Sequence, residues 1–114
     1  MGRYQAVKPW QVIYADPICG AAGDRLALGR RDDEYPGWVW ATAIDGRAGW
    51  VPESWLRVEG ESGILVRDYT AAELPLAPGD VVSGELVQSG WLWAMNAAGD
   101  RGWVPVTCLE PSEP

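Results

Sequence analysis

The segment Gly37–Pro52, GWVWATAIDGRAGWVP, recurs at Gly90–Pro105 as GWLWAMNAAGDRGWVP, without a gap and at a constant offset of 53 residues. The copies share Gly37/Gly90, Trp38/Trp91, Trp40/Trp93, Ala41/Ala94, Gly46/Gly99 and the run Gly49-Trp50-Val51-Pro52/Gly102-Trp103-Val104-Pro105. Six of the eight tryptophans fall in these two blocks. Two copies of a repeat of this length cannot close a propeller, so a 114-residue chain is most simply two very small domains in tandem. Each sits near the size at which a lone hydrophobic core becomes marginal. Phenylalanine is absent, and tryptophan, which buries roughly 150–250 Å², is the available filler.

Turn residues divide the rest into short β-type runs. Residues 1–6 carry no pattern and are expected to fray. Val7 to Ala15 reads as a strand or extended entry interrupted by Pro9, and Arg25 to Leu28 as a short strand. Trp38–Ala43 and Arg47–Val51 are two strands joined at Asp45-Gly46, a hairpin signal. Pro52 stops the second, Glu53-Ser54 turns, and Trp55–Val58 closes the domain. Residues 59–63, EGESG, contain no apolar side chain and two glycines, which reads as a flexible linker. The pattern then restarts with strands at Ile64–Val66 and Val81–Val87, the latter bent at Gly84, followed by the second hairpin and a last strand at Cys108–Glu110. No segment has helical periodicity. The expectation is an all-β chain with domains at 7–58 and 64–110, a linker at 59–63, and flexible ends at 1–6 and 111–114.

Sixteen acids against nine bases give a formal charge of −7. Val7–Val58 is nearly balanced, with seven acids and six bases, whereas Ile64–Glu110 has six acids and two bases, Arg67 and Arg101. Neither half has the basic face that nucleic-acid binding requires, so a cationic partner or an uncharged one is expected. Histidine is absent, which removes His-based acid–base and triad chemistry. With no CxxC either, no metal site or other cofactor is expected. Cys19 and Cys108 admit two readings, a disulfide or two small buried hydrophobes. No apolar run suits a signal peptide or a membrane span, so no membrane partner is expected and the cytoplasm is the default compartment. Adjacent carboxylates such as Asp32 and Asp33 do not hold two groups across a substrate, and the chain is expected not to be an enzyme.

The order Gly-Asp, strand, polar loop, Gly-Trp, hairpin, Gly-Trp-Val-Pro, turn and aromatic-plus-aliphatic resembles the SH3 domain, here as a shortened, variant pair of bacterial type. The residues carrying the likeness are Gly23-Asp24 and Gly79-Asp80, Trp38 and Trp91, Pro52 and Pro105, Ser54-Trp55-Leu56, and Leu65-Val66-Arg67-Asp68-Tyr69, which resembles the family's opening motif. It spans nearly the whole chain. Departures are a shortened loop after Tyr69, Arg67 where the family has its first motif tyrosine, Thr107 and Cys108 at the end of repeat two, and only Tyr14 to match that tyrosine in repeat one. The resemblance implies two SH3-like β-barrels of five short strands each. It also implies a protein-interaction module that binds a proline-containing or cationic peptide, chiefly through the first barrel.

A polyproline II ligand needs flat aromatic walls and a few rim donors, and it arrives already extended. In repeat one those residues are Trp38, Trp50, Pro52 and Trp55, with Ser54 at the rim and Asp32, Asp33 and Glu34 in the loop that flanks the specificity pocket. Arg30 and Arg31 partly neutralise that loop. In repeat two the candidates are Tyr69, Trp91, Trp103 and Pro105, with Glu73 as the acid, and a degraded groove is expected there. The competing reading makes these tryptophans core or inter-domain packing, Trp40 above all. Other functions open to the same residues are an assembly domain whose Trp surface mates with itself or a larger protein, and an aromatic cage for a methylated ammonium group built from Trp38, Trp50 and Tyr35 with Asp32 or Asp33. A cell-wall-targeting domain would need export. The PxxP strings at Pro75–Pro78 and Pro111–Pro114 are read as a turn and a poor self-ligand.

Overall fold

The computed structural model describes residues 2–12 and 16–112; Tyr14 and the last two residues of the terminal PxxP string lie outside them. The described residues form twelve strands: β1 Gly2–Ala6, β2 Cys19–Gly20, β3 Arg25–Arg31, β4 Trp38–Thr42, β5 Ala48–Pro52, β6 Leu56–Glu59, β7 Ser62–Leu65, β8 Tyr69–Thr70, β9 Val81–Gln88, β10 Trp91–Asn96, β11 Arg101–Pro105 and β12 Leu109–Pro111. One 3₁₀ turn, Glu53–Trp55, separates β5 from β6, and another, Val106–Cys108, separates β11 from β12. The chain is all-β and SH3-like, as the repeat suggests. No helix among the described residues is long and apolar enough to cross a membrane.

The division into units is not the one the sequence suggests. One unit is Asp16–Ala71, and the other combines Met1–Ala15 with Ala72–Pro114. In the contiguous unit the sheet order is β5-β4-β3-β7-β6, and in the split unit it is β11-β10-β9-β1-β12. These orders match strand for strand. β7, expected to open the second domain, pairs instead with β3 and β6. β1, expected to be a frayed lead-in, lies between β9 and β12. The contiguous unit is thus an insertion in the loop that follows the first strand of the split unit.

The equivalence of β1 and β7 is fixed by hydrogen bonds. In the contiguous unit Leu65 N–H bonds to Asp24 O (2.9 Å), Gly23 N–H to Leu65 O (2.7 Å) and Val66 N–H to Trp55 O (3.0 Å). In the split unit Ala6 N–H bonds to Asp80 O (2.8 Å), Gly79 N–H to Ala6 O (2.8 Å) and Val7 N–H to Cys108 O (2.7 Å). Ala6 therefore corresponds to Leu65, Lys8 to Arg67 and Trp10 to Tyr69. The Gly-Asp pairs set the turns: Gly23 and Gly79 take φ of 95° and 97°, and the Asp24 and Asp80 carboxylates accept from the N–H three residues earlier.

The supposed linker is a hairpin. Glu59 pairs with Ser62, leaving the two-residue loop Gly60-Glu61, with Gly60 at φ 63° as a type II′ turn requires at its first central position. Glycine and polar residues serve a tight turn as well as a linker, so composition alone did not separate the two. Arg25 and Arg57 both donate to Glu59, and these hydrogen bonds, Arg25's first, hold its carboxyl below the usual carboxylate range.

The long hairpins close alike. Gly46 N–H bonds to Ala43 O (2.9 Å) and Gly99 N–H to Asn96 O (3.0 Å), with the two glycines at φ 91° and 89°. This is a turn followed by a left-handed glycine; Asp45 stays out of that region and its carboxylate accepts from the Arg47 N–H instead (2.9 Å). Inward positions form the cores. In the split unit Ala6, Leu74, Leu76, Val82, Leu92, Ala94, Val104 and Cys108 cluster, with Trp10 and Tyr4 against them. In the contiguous unit Ile18, Leu26, Val39, Ala41, Val51, Leu56 and Leu65 are buried. Of the two cysteines, Cys108 is the small buried hydrophobe and Cys19 is exposed; both are free thiols.

The glycine of each Gly-Trp-Val-Pro run has a packing reason. A Cβ on Gly102 would stand 2.7 Å from the Glu73 carbonyl carbon and 2.9 Å from the Leu74 nitrogen, both main chain. One on Gly49 would meet Ile18 Cγ2 at 2.9 Å. Gly102→Ala should therefore destabilise the split unit by about 1–3 kcal/mol, the cost of overpacking against an unyielding backbone. Denaturant unfolding followed by the Trp103 indole N–H signal measures it, and an unchanged midpoint would refute the close approach.

Candidate functional site

Three segments of the split unit converge on one aromatic row. Gln88 pairs with Trp91 across a two-residue loop, Ser89-Gly90, whose φ values of 47° and 91° fit a type I′ turn. That turn starts β10 at Trp91. Trp91 lies directly opposite Pro105 at the end of β11, so both side chains stand on the same face. The chain then enters the 3₁₀ turn, fixed by the Val106 N–H bonding to Gly90 O (3.0 Å).

Trp10 arrives from the N-terminal strand. Its backbone exchanges two 2.9 Å hydrogen bonds with Leu76, which holds the residue beyond the end of β1. Its ring meets Trp91 edge-on, with centroids 5.3 Å apart at 79°. Its Nε1–H donates to Glu73 Oε1 at 2.9 Å. Glu73 is positioned in turn by the main chain on either side of it, where Trp103 N–H bonds to Ala72 O (2.9 Å) and Leu74 N–H to Trp103 O (3.2 Å). Trp10 and Trp91 are half-buried and Pro105 is buried. The result is a ledge of two half-buried indoles, Trp10 and Trp91, backed by the fully buried Pro105, with a carboxylate at its edge.

Trp103, placed by the sequence in the same wall, is buried and packs edge-on against Trp93 at 5.3 Å. Tyr69 is not in this unit at all. Its place is taken by Trp10, which sequence reasoning left unassigned; between 4–10 and 63–69 the aligned segments share only Val7/Val66, so identity offered no signal.

The face expected to be the better groove is closed. Trp38 is 4% exposed, Trp55 8% and Tyr69 6%, and Pro52 is buried. Trp38 does lie opposite Pro52, the arrangement of Trp91 and Pro105, but as core. In a small unit without phenylalanine, burying these rings contributes more than leaving them wet. Tyr69 meets Trp55 edge-on at 5.5 Å and donates its hydroxyl proton to Trp50 O at 2.6 Å. Arg67 lies over the Trp55 ring, 4.0 Å from its centroid. Trp50 is half-buried, edge-on to Trp40 at 5.1 Å, with Arg30 over it at 5.0 Å. Ser54 is exposed at the turn.

The acidic loop is also committed locally. The Asp32 carboxylate accepts from the Glu34 N–H (2.8 Å) and the Tyr35 N–H (3.2 Å), shaping its own loop. Asp33 and Glu34 are exposed. Arg31 does not neutralise this loop but pairs with Glu53 at 3.0 and 3.2 Å, which raises the guanidinium's affinity for its proton. An ammonium cage from Trp38, Trp50 and Tyr35 is not assembled, because Trp38 is interior and Arg30 covers Trp50.

No family model matches the chain, and no solved structure matches it. Among curated proteins, mouse SH3 and PX domain-containing protein 2B is 43% identical over 54 residues, which is 44% of this chain and 6% of that protein. The chain thus corresponds to a small part of that relative's length. The match gives the chain SH3-like character.

Proposed function

We propose that the chain is a non-enzymatic protein-interaction module whose peptide-binding face is the ledge of Trp10 and Trp91, supported from beneath by the buried Pro105, with Glu73 at its rim. The edge-on pair of half-buried indoles beside a proline carries this reading. Flat apolar walls of this kind accept an extended, proline-containing segment that loses little entropy on docking. Glu73 adds an acceptor beside the ledge, and a carboxylate can take several hydrogen bonds besides the one from Trp10. With a net charge of −7, the protein's field favours a ligand carrying arginine or lysine. The likeness to an SH3 domain-containing protein supports an interaction role rather than a catalytic one. The contiguous unit, whose aromatic face is closed, is not the principal site.

Titration of an Arg-x-x-Pro-x-x-Pro peptide into ¹⁵N-labelled protein tests this. The indole N–H signals of Trp10 and Trp91 should move. Trp91→Ala should weaken binding by about tenfold or more, as expected for an aromatic anchor, while leaving the far-UV spectrum unchanged. Shifts confined to Trp38, Trp50 and Trp55, or no shift at millimolar peptide, would reject the assignment.

A further inference from the structure

The contiguous unit holds a second aromatic arrangement whose occupant is part of the chain itself. Trp55 ends the 3₁₀ turn Glu53–Trp55, at the position that Cys108 holds in the split unit. Tyr69 braces its edge and is locked by the 2.6 Å hydrogen bond to Trp50 O. Arg67 comes two residues before Tyr69, in the bend that joins β7 to β8. Its guanidinium carbon stands 4.0 Å from the Trp55 centroid, inside the roughly 6 Å over which a cation is attracted to a ring face. The neighbouring Asp68 carboxylate is directed elsewhere, to the Ala22 N–H at 2.9 Å.

Acids outnumber bases sixteen to nine, and four of the other arginines, Arg25, Arg31, Arg47 and Arg57, are taken up by carboxylates. Arg30 lies over Trp50 at 5.0 Å, a looser contact than the 4.0 Å of Arg67 over Trp55. Arg67 is exposed, and its recorded partner among the described residues is the indole. An exposed guanidinium that rests on a tryptophan in so acidic a protein marks a ring face suited to a planar cation, with water on its far side.

We propose that Trp55, braced by Tyr69, is a guanidinium-binding site held shut in the resting protein by Arg67, which an arginine side chain of a partner displaces. The site differs from the ledge in the split unit in both location and ligand, since it needs no proline. Removing the internal cation should raise apparent affinity by the fraction of time the site was closed, a factor of about 3 to 10 for one partly exposed cation–π contact.

The probe is acetyl-Gly-Arg-Gly-amide, titrated into the full chain with the Trp55 indole and Tyr69 ring signals observed. Arg67→Ala should show saturable shifts at Trp55 and Tyr69 with affinity improved by that factor over the unchanged protein, and acetyl-Gly-Gln-Gly-amide should produce none. Arg67→Lys, which keeps the charge but loses the planar stacking, should fall between. The proposal is overturned if Arg67→Ala shows no shift at Trp55 at millimolar peptide, or if the glutamine peptide shifts it equally. Signals of Trp10 and Trp91 read the other face separately, so failure at either site leaves the other visible.

Discussion

A chain cut to residues 16–71 should fold, whereas chains cut to 7–58, or to 64–110 with its tail to 114, the limits the repeat suggests, should not. The first contains β2 to β8 and the whole sheet β5-β4-β3-β7-β6. The second lacks β7, whose loss would strip both β3 and β6 of a partner. The third lacks β1, which fills the space between β9 and β12. A missing central strand leaves two rows of unpaired backbone groups and opens the core, a penalty a domain this small cannot absorb. Proton–nitrogen correlation spectra provide the measurement: dispersed signals with a cooperative melt for 16–71, collapsed signals for the other two. A dispersed spectrum from 64–114 would mean that β1 is dispensable.

Replacing Ala6 by aspartate should unfold the split unit while the contiguous unit remains folded. Ala6 is 1% exposed in the core cluster with Leu92 and Val104. No basic group is recorded within that cluster. An uncompensated buried carboxylate costs about 3–5 kcal/mol, comparable to the whole stability a core of this size supplies, roughly 3–5 kcal/mol. The loss of Trp10 from beside Trp91 should abolish peptide binding at the ledge, with the Trp55 site unaffected. Gln5→Asp, one residue away but exposed, should change stability by no more than about 0.5 kcal/mol. Thermal unfolding of both variants tests the pair; a single unperturbed transition in Ala6→Asp would show that residues 2–6 do not enter the core.

The repeat made much of the fold legible. The Gly-Trp hairpins, the Gly-Trp-Val-Pro runs and the turns after Pro52 and Pro105 appear where their residues imply, because each is a local device: a left-handed glycine, a φ fixed by proline, a period of two. The exchange of opening strands was not legible. β1 is held largely by main-chain bonds to strands about eighty and about a hundred residues away, and its inward side chains are small except for Tyr4. A strand recognised mainly through its backbone leaves little trace in its sequence. The same displacement misplaced the site. Tyr69 precedes the second repeat and was grouped with Trp91, whereas Trp10 takes that position. Burial of Trp38 was likewise out of reach, since a tryptophan beside a proline in the strand pattern is identical for Trp91, which stays half-exposed.

The inserted unit has its two ends side by side: Cys19 pairs with Thr70, and Ala71 N–H bonds to Ile18 O at 2.9 Å. This matters during synthesis, when the chain leaves the ribosome from its N-terminus. β1 emerges before both of the strands it pairs with, β9 and β12. Once residue 71 is out, the inserted unit can fold on its own strands, drawing the chain at 16 toward the chain at 71. The long detour between β1 and β9 then shrinks to a short closure, and the entropy of joining distant segments falls accordingly. The topology therefore favours an order of assembly in which the inserted unit finishes first and shortens the loop that the split unit has to close.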